Sequence, residues 1–273
     1  MVVFAGQGDV RRTMALLWRA PGARERTGPG PKPGLSVDEI VDAAIALADA
    51  EGMTAVSMRT VGKQLGRTGM ALYTYVPSKS ELVDLMYDRV LAELPTEYDL
   101  TAGWRAAVTE WAGTYWEFFL RHPWVLQVSS ARPVLGPNEF ATMETLVRLF
   151  GGTAVPAPTL RRVSGTLTSF VRGAARMVTE SRQAPAATGM SENDWWYARS
   201  AALTEAVPDF AEQFPAMVRM ELESQVPHDD SMPYLEREAA ETFVAGLEFL
   251  LDGIEAAIAK QGELPLFRPY STE

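Results

Sequence analysis

The chain has 273 residues, 47% hydrophobic and 22% charged, with a formal charge of −10, which is enough for a buried core and more than one domain. It has no cysteine and only two histidines, His122 and His228, so a disulfide framework and a His/Cys metal cluster are excluded. No apolar run approaches the roughly 18 residues of a membrane span, and MVVFAGQGDVRR puts its apolar stretch ahead of its charges, the reverse of a secretory signal. A cytoplasmic protein without metal or cofactor is expected.

Residues 1–34 carry Arg11, Arg12, Arg19, Arg24, Arg26 and Lys32 against Asp9 and Glu25, and end in TGPGPKPG. This composition resists packing and predicts a flexible basic arm, either a solvated tail or a segment for a DNA minor groove. RRTMALLWR within it has the pattern of one or two amphipathic turns, too short to stand alone.

A first helix is predicted over 36–51. Ser36 and Glu39 form a capping box, Ile40, Ala44, Leu47 and Ala48 the buried stripe, and Gly52 the stop. Ser57 caps a second helix whose Val61 and Leu65 recur at i and i+4, and Gly66 ends it. Thr68 is the N-cap of about two further turns over 69–75, closed by Pro77. Two short helices joined by a tight turn are the pattern of a helix-turn-helix, in which the second helix enters a major groove. Between Gly52 and Ser80 stand Arg59, Lys63, Arg67 and Lys79 and no Asp or Glu, a local departure from an acidic chain that suits phosphate contact. A plain αα-hairpin with a solvated basic face would carry the same pattern. Ser78 and Glu81 predict a second capping box and a fourth helix through Leu82, Val83, Met86 and Val90 to Leu94, placed to join this unit to the rest.

Over 35–85 the chain resembles the DNA-binding domain of the tetracycline-repressor family of bacterial regulators. The resemblance rests on the apolar frame of three helices, the Leu65-Gly66 turn, LYxYV (Leu72, Tyr73, Tyr75, Val76) and the following Lys79. It implies a DNA-binding domain over 35–94 and operator contacts at Arg59, Thr68, Gly69, Met70, Tyr73, Tyr75 and Lys79. Arg59 and Lys79 would hold phosphates, Met70 could meet a thymine methyl, and Gly69 would permit close approach to the DNA.

Eleven basic and eleven acidic residues balance within 1–94, so the remainder carries the whole −10. A second domain is expected over 95–262, with a tail at 263–273. A helix over 101–121 places Trp104, Val108, Trp111, Tyr115 and Phe118 on one aromatic face, with His122 just beyond. Short helices follow over 124–131 and 137–150, the latter with Phe140, Met143, Leu146 and Val147 inward. A longer helix over 160–181 has the stripe Val163, Leu167, Phe170, Ala174 and Met177. QAPAATGM reads as irregular. Residues 191–206 form a helix presenting Trp195 and Trp196, and 207–233 is weakly patterned with a short helix over 210–222. The last helix, 234–260, carries Phe243, Leu247, Leu250, Ile254 and Ile258, with Ala239, Gly246 and Gly253 spaced seven apart. Mid-helix glycines cost about 1 kcal/mol each against alanine, so this seam suggests close approach of another helix and a four-helix dimer bundle.

RHPWVLQVSSARPVLGPN, FVRGAAR and FVAGLEFLLDGIE are similar to the ligand-binding and dimerisation domain of the same family. This implies an all-α homodimer and a pocket among the helices between 101 and 181, with Trp111, Tyr115, Phe118, His122, Gln127, Phe170, Arg172 and Met177 as candidate ligand contacts. Gln127 stands where the resemblance implies a magnesium-ligating histidine in tetracycline-responsive members, which argues against a metal-bound effector. Arg172 and Arg176, four apart, could meet a ligand carboxylate, face water or pair with a neighbouring acid. The expected function is a DNA-binding repressor released from a palindromic operator by a small, largely apolar ligand. The alternative is a helical binding or scaffolding protein that has lost operator binding. No G-x-S-x-G elbow or comparable constellation supports catalysis.

Overall fold

The computed structural model describes residues 3–19, 34–224 and 232–259; Arg24, Arg26, Lys32 and the linker up to residue 33, His228 and the expected tail over 263–273 lie outside them. Among the described residues the chain is all α. Its twelve helices are α1 (Val10–Leu17), α2 (Val37–Glu51), α3 (Met58–Gln64), α4 (Gly69–Leu72), α5 (Lys79–Leu91), α6 (Trp104–Arg121), α7 (Pro137–Leu149), α8 (Ala157–Thr188), α9 (Glu192–Ala206), α10 (Phe210–Gln213), α11 (Pro215–Glu223) and α12 (Tyr234–Ala259). A 3-10 turn covers Pro123–Gln127. The chain divides into two compact units, residues 1–172 with 249–273, and residues 173–248.

In the first unit α2, α3 and α4 bury Ile40, Val41, Ala44, Ala48, Val56, Val61 and Leu72. Ser36 and Glu39 form the capping box, with the Ser36 N–H donating to Glu39 Oε2 at 2.7 Å and the Glu39 N–H to Ser36 Oγ at 3.1 Å. α5 follows, and its burial is unusual. Besides Leu82, Val83, Leu85, Met86 and Val90 it buries three carboxylates, Glu81, Asp84 and Asp88. Buried carboxylates need donors, and here they come from other elements. Asp88 accepts from the Asn138 and Glu139 N–H groups (3.0 Å each) and from Asn138 Nδ2 (2.9 Å), so a side chain of α5 caps the N-terminus of α7.

Asp84, and Glu81 beside its bond from the Ser78 hydroxyl, take donors from the N-terminal segment, which corrects the expectation of a flexible arm over residues 3–19. The Gly6 N–H donates to Asp84 Oδ1 at 3.0 Å and the Asp9 N–H to Glu81 Oε1 at 3.1 Å. α1 packs on α5 with Thr13 and Leu17 buried. The predicted capping box at Ser78 closes only between side chains: Ser78 Oγ accepts from the Ser80 N–H (3.0 Å) and donates to Glu81 Oε2, while Glu81 Oε1 accepts from Asp9 instead of from the Ser78 backbone.

Burial raises the Asp84 carboxyl from 3.8 to about 6; the Gly6 hydrogen bond opposes the rise, and the negative charge of Glu81 adds to it. A carboxyl whose folded pKa is raised makes the fold bind more protons than the unfolded chain, so stability falls as pH rises between about 4 and 6. Asp84→Asn keeps an acceptor for Gly6 without the buried charge. The variant is expected to be more stable than the parent at pH 7.5 by on the order of 2 kcal/mol, and the gap should close toward pH 4. Thermal unfolding followed by circular dichroism from pH 4 to 8 checks this; a less stable variant at pH 7.5 would refute it.

Three inward assignments in α7 fail. Phe140, Met143 and Val147 are 46%, 60% and 40% exposed, whereas Thr142, Thr145, Leu146 and Leu149 are buried. The helix enters with the N–H groups of its second and third residues on Asp88, and in this orientation its threonine face is inward. The helix expected over 124–131 is the shorter 3-10 turn, after which Val128 is extended and bridges to Val3.

α8 keeps one line at steps of four and three, Val163, Leu167, Val171, Ala175 and Val178, so Met177 is exposed and Phe170 half-buried instead of lining a stripe. It also continues through QAPAAT, since Pro185 sits in the last turn and forfeits one backbone donor before Gly189, at φ +73, ends it. In the second unit, residues 173–248, Arg182 donates to Glu236 (2.9 and 2.6 Å) and Trp196 stacks on Tyr234 at 4.9 Å. α9, α10 and α11 bury no residue. In α12 Phe243, Leu247, Leu251 and Ile254 are buried, Leu251 taking the place expected of Leu250. No helix among the described residues is long and apolar enough to cross a membrane.

Candidate functional site

The turn between α3 and α4 is built by backbone chemistry. Ser57 and Thr60 form a full capping box, each side chain accepting from the other's N–H (3.1 and 2.9 Å), and Thr60 Oγ1 also donates to the Ala55 carbonyl at 2.7 Å. Gly66, at φ +67, lets the chain reverse, and the Arg67 N–H returns to the Gly62 carbonyl at 2.8 Å. α3 and α4 then meet at two glycines. A Cβ on Gly62 would stand 3.0 Å from both the Arg67 carbonyl oxygen and the Gly69 nitrogen, and one on Gly69 would stand 3.1 Å from the Arg59 backbone. Gly69 therefore serves the approach of α3 to α4, a packing role beside the one expected of it toward DNA. Thr68 holds the N-cap position without a side-chain cap bond.

What this packing leaves outward is Arg59, Lys63, Arg67, Thr68, Met70, Tyr73, Thr74 and Lys79, with Tyr75 half-exposed. Met70 is 76% exposed and Tyr73 43%, on a helix whose Leu72 is fully buried, so both are held out by the fold. A methionine and two tyrosines beside a threonine hydroxyl offer a groove apolar contact and hydroxyl hydrogen bonds, while the flanking cations suit phosphates.

The region assigned to ligand is closed. Trp111, Tyr115, Phe118 and His122 are at most 7% exposed. The rings touch in series: Trp111 to Tyr115 at 4.6 Å, Tyr115 to Phe118 at 6.3 Å and Phe118 to His122 at 5.3 Å. Burial pushes the Tyr115 hydroxyl far up from its usual range, against a hydrogen bond with Thr142, and Tyr87 is pushed up to about 12 by burial and by Glu139. Trp111 Nε1 is buried without a hydrogen-bond partner, a polar atom that this closed state does not satisfy.

His122 is a joint rather than a pocket wall. Its Nδ1 lies 2.8 Å from Asp49 Oδ1 on α2 and its Nε2 3.0 Å from Glu93 Oε2 beyond α5, while Trp124 Nε1 donates to the same Asp49 oxygen at 2.7 Å. Sequence reasoning missed Asp49 and Glu93, since neither stands in a motif and only the fold brings them to the ring. Arg172 is engaged by protein. Its Nη2 donates to the carbonyls of Val125 (3.0 Å), Leu126 (3.1 Å) and Val128, and its guanidinium lies 5.7 Å from the Phe119 ring. Arg176 pairs with Glu180 at 2.6 Å. The Gln127 carbonyl accepts from the Val3 N–H at 2.9 Å. Met177 belongs to the second unit, where it borders a cavity of about 480 Å³ with Ala174, Ser181, Leu235 and Thr242. No group of three or more acidic or histidine side chains among the described residues could hold a metal ion.

A three-helix head with a capped, carboxylate-free turn, joined by a long helix to an all-helical body, defines a helix-turn-helix DNA-binding regulator. Residues 40–86 match the bacterial regulatory proteins of the tetR family and residues 98–258 the tetracyclin repressor-like C-terminal domain, and the chain belongs to this family. It is 35% identical over 258 residues to the HTH-type transcriptional repressor DrrR1 of Streptomyces coeruleorubidus, covering 94% of this chain and 90% of that one. It is 26% identical over 233 residues to the class D tetracycline repressor protein of Escherichia coli, covering 82% and 91%. The fold is similar to that of the Streptomyces coelicolor protein ActR in complex with actinorhodin, with a TM-score of 0.64 at 25% identity over 84% of this chain and 99% of that one.

Proposed function

We propose that this regulator is a homodimeric repressor that binds a two-fold symmetric operator and leaves it when a small molecule occupies the body over residues 95–262. The observation that carries the reading is the outward surface of α3 and α4, where Met70 and Tyr73 are exposed among Arg59, Arg67 and Lys79 with no acid between residues 52 and 80. Thr68, Met70, Tyr73 and Tyr75 face the groove, and Arg59 and Lys79 hold phosphates. The repressor name of its 35%-identical relative supports the direction of control, and the ActR complex with actinorhodin supports a small-molecule effector. Trp111, Tyr115, Phe118 and Phe170 are the residues assigned to the effector, which must part these rings to enter. Dimerisation is supported by helices that a lone chain leaves uncovered: α9–α11 bury nothing, Val244 and Phe249 on α12 are 62% and 74% exposed, and Gly253 faces open space.

A gel-shift titration on the DNA flanking the protein's own gene tests the reading, with a retarded band at low salt expected and its absence across that region overturning it. Lys79→Ala should weaken binding to all sequences alike and reduce the slope of log K against log salt by about 1. A changed base preference in this variant would reassign Lys79 to readout.

A further inference from the structure

Residues 3–19 lie outside both matched family regions, yet they are tied along their whole length. The Val3 N–H donates to the Gln127 carbonyl at 2.9 Å, and the Ser129 N–H donates to the Val3 carbonyl at 2.7 Å. Gly6 and Asp9 donate to Asp84 and Glu81 on α5. Beyond α1, Trp18 Nε1 donates to the Leu135 carbonyl at 3.0 Å just before α7, its ring lies 6.1 Å from Phe140, and Arg19 pairs with Asp38 at the start of α2. One segment thus joins the connecting helix, the turn after α6, the entry to α7 and the first helix of the head. Its glycines fit this course: Gly6 has φ +69, and a Cβ on Gly8 would fall 2.1 Å from Glu81 Oε1.

The polarity of the segment matches the task. Its backbone N–H groups point at the buried carboxylates of α5, while Arg11 and Arg12 stay exposed and make no bond to them. We infer that residues 3–19 are an intramolecular brace that fixes the direction of α5 and so sets operator affinity from inside the protein, without contacting DNA. Asp88 ties the later part of α5 to α7, and the segment ties its first two turns, at Glu81 and Asp84, to Gln127, Ser129 and Leu135, so the head end of α5 cannot pivot without breaking the segment's bonds. Two recognition helices must stand about 34 to 36 Å apart to read both half-sites, so freedom at α5 becomes lost affinity with every DNA contact still available.

The inference rests on the operator-binding reading for its affinity effect, and a readout that needs no DNA keeps the two apart. In the full chain, Gly8→Val at the middle of the segment, Trp18→Ala at its end and the control Arg11→Ala/Arg12→Ala are compared with the parent by operator titration at several salt concentrations and by hydrogen exchange of the α5 amides. Gly8→Val and Trp18→Ala are expected to speed α5 exchange tenfold or more and to lower operator affinity tenfold or more at an unchanged salt slope. The double arginine variant should stay within twofold on both. Loss of affinity in the arginine pair with a slope lower by about 1 per residue would make the segment a DNA arm and overturn the inference. So would unchanged α5 exchange in both Gly8→Val and Trp18→Ala. If the parent itself shifts no operator, the functional reading fails, and the exchange rates alone decide the brace.

Discussion

Gly62→Val is expected to abolish operator binding while leaving the helical body folded. The added Cβ alone comes within 3.0 Å of the Arg67 carbonyl oxygen and the Gly69 nitrogen and 3.1 Å of the Thr68 carbonyl carbon, all backbone atoms that no rotamer change can move aside. The two further methyl groups of valine force α4 off α3, and α4 has four residues and only Leu72 and the following Val76 to hold it in place. Overpacking of this kind costs about 1–3 kcal/mol in an ordinary core. Here it acts on the contact that positions the recognition helix, so an operator-affinity loss of a hundredfold or more is expected, with Gly62→Ala intermediate. Gel shift reads the loss and near-ultraviolet dichroism of the body tryptophans reads the intact remainder. Parental affinity in Gly62→Val would sink this account of the turn.

His122→Ala is the second large effect. The ring is 7% exposed and lies between Asp49 and Glu93, so its removal leaves two carboxylates facing a vacated space. Trp124 still donates to Asp49, and Glu93 is 48% exposed and finds water, which lowers the loss to roughly 2–3 kcal/mol from the larger figure for a fully buried pair. The joint ties the end of α6 to α2, so the variant is also expected to respond less to any effector that acts on the aromatic face. Denaturant unfolding gives the first number and effector titration of the operator complex the second. A double-mutant cycle with Glu93→Gln should recover part of the loss. Full additivity in that cycle would mean that the 3.0 Å contact carries no coupling.

The parts legible in the sequence are those specified by short-range rules. The capping box at Ser36, the stop at Gly52 and the reversal at Gly66 are local devices, and the helix-turn-helix follows from them together with the positions of Val61 and Leu72. Burial along α7 and α8 was misread because period alone marks an apolar face without saying which flank meets a neighbour. Phe140 and Met143 look like core by that rule, yet the face that α7 buries is the one carrying Thr142, Thr145 and Leu149. Ser57-x-x-Thr60 and a glycine inside a seven-residue helix were visible signals of the α3–α4 contact. The joint at His122 and the donors for Asp84 and Glu81 depend on residues 29 to 78 positions apart, which no local pattern reports.

The cap that Asp88 places on α7 bears on the shape of the response as well as on its strength. Three hydrogen bonds of 2.9–3.0 Å converge on one buried carboxylate, and a displacement of α5 by about 1 Å would break all three without bringing water to replace them. Partly opened arrangements, with the carboxylate still buried but short of donors, are therefore less favourable than either the bonded or the fully parted one. On the proposed dimeric reading, a steep dose–response curve would require the two effector sites to be coupled, and a contact that parts all-or-none in each subunit is one through which such coupling could pass. On that reading leakage and induction can be tuned separately, leakage by the residues proposed to face DNA and the onset of induction by Asp88 and Asn138, whose N–H and amide enter its cap.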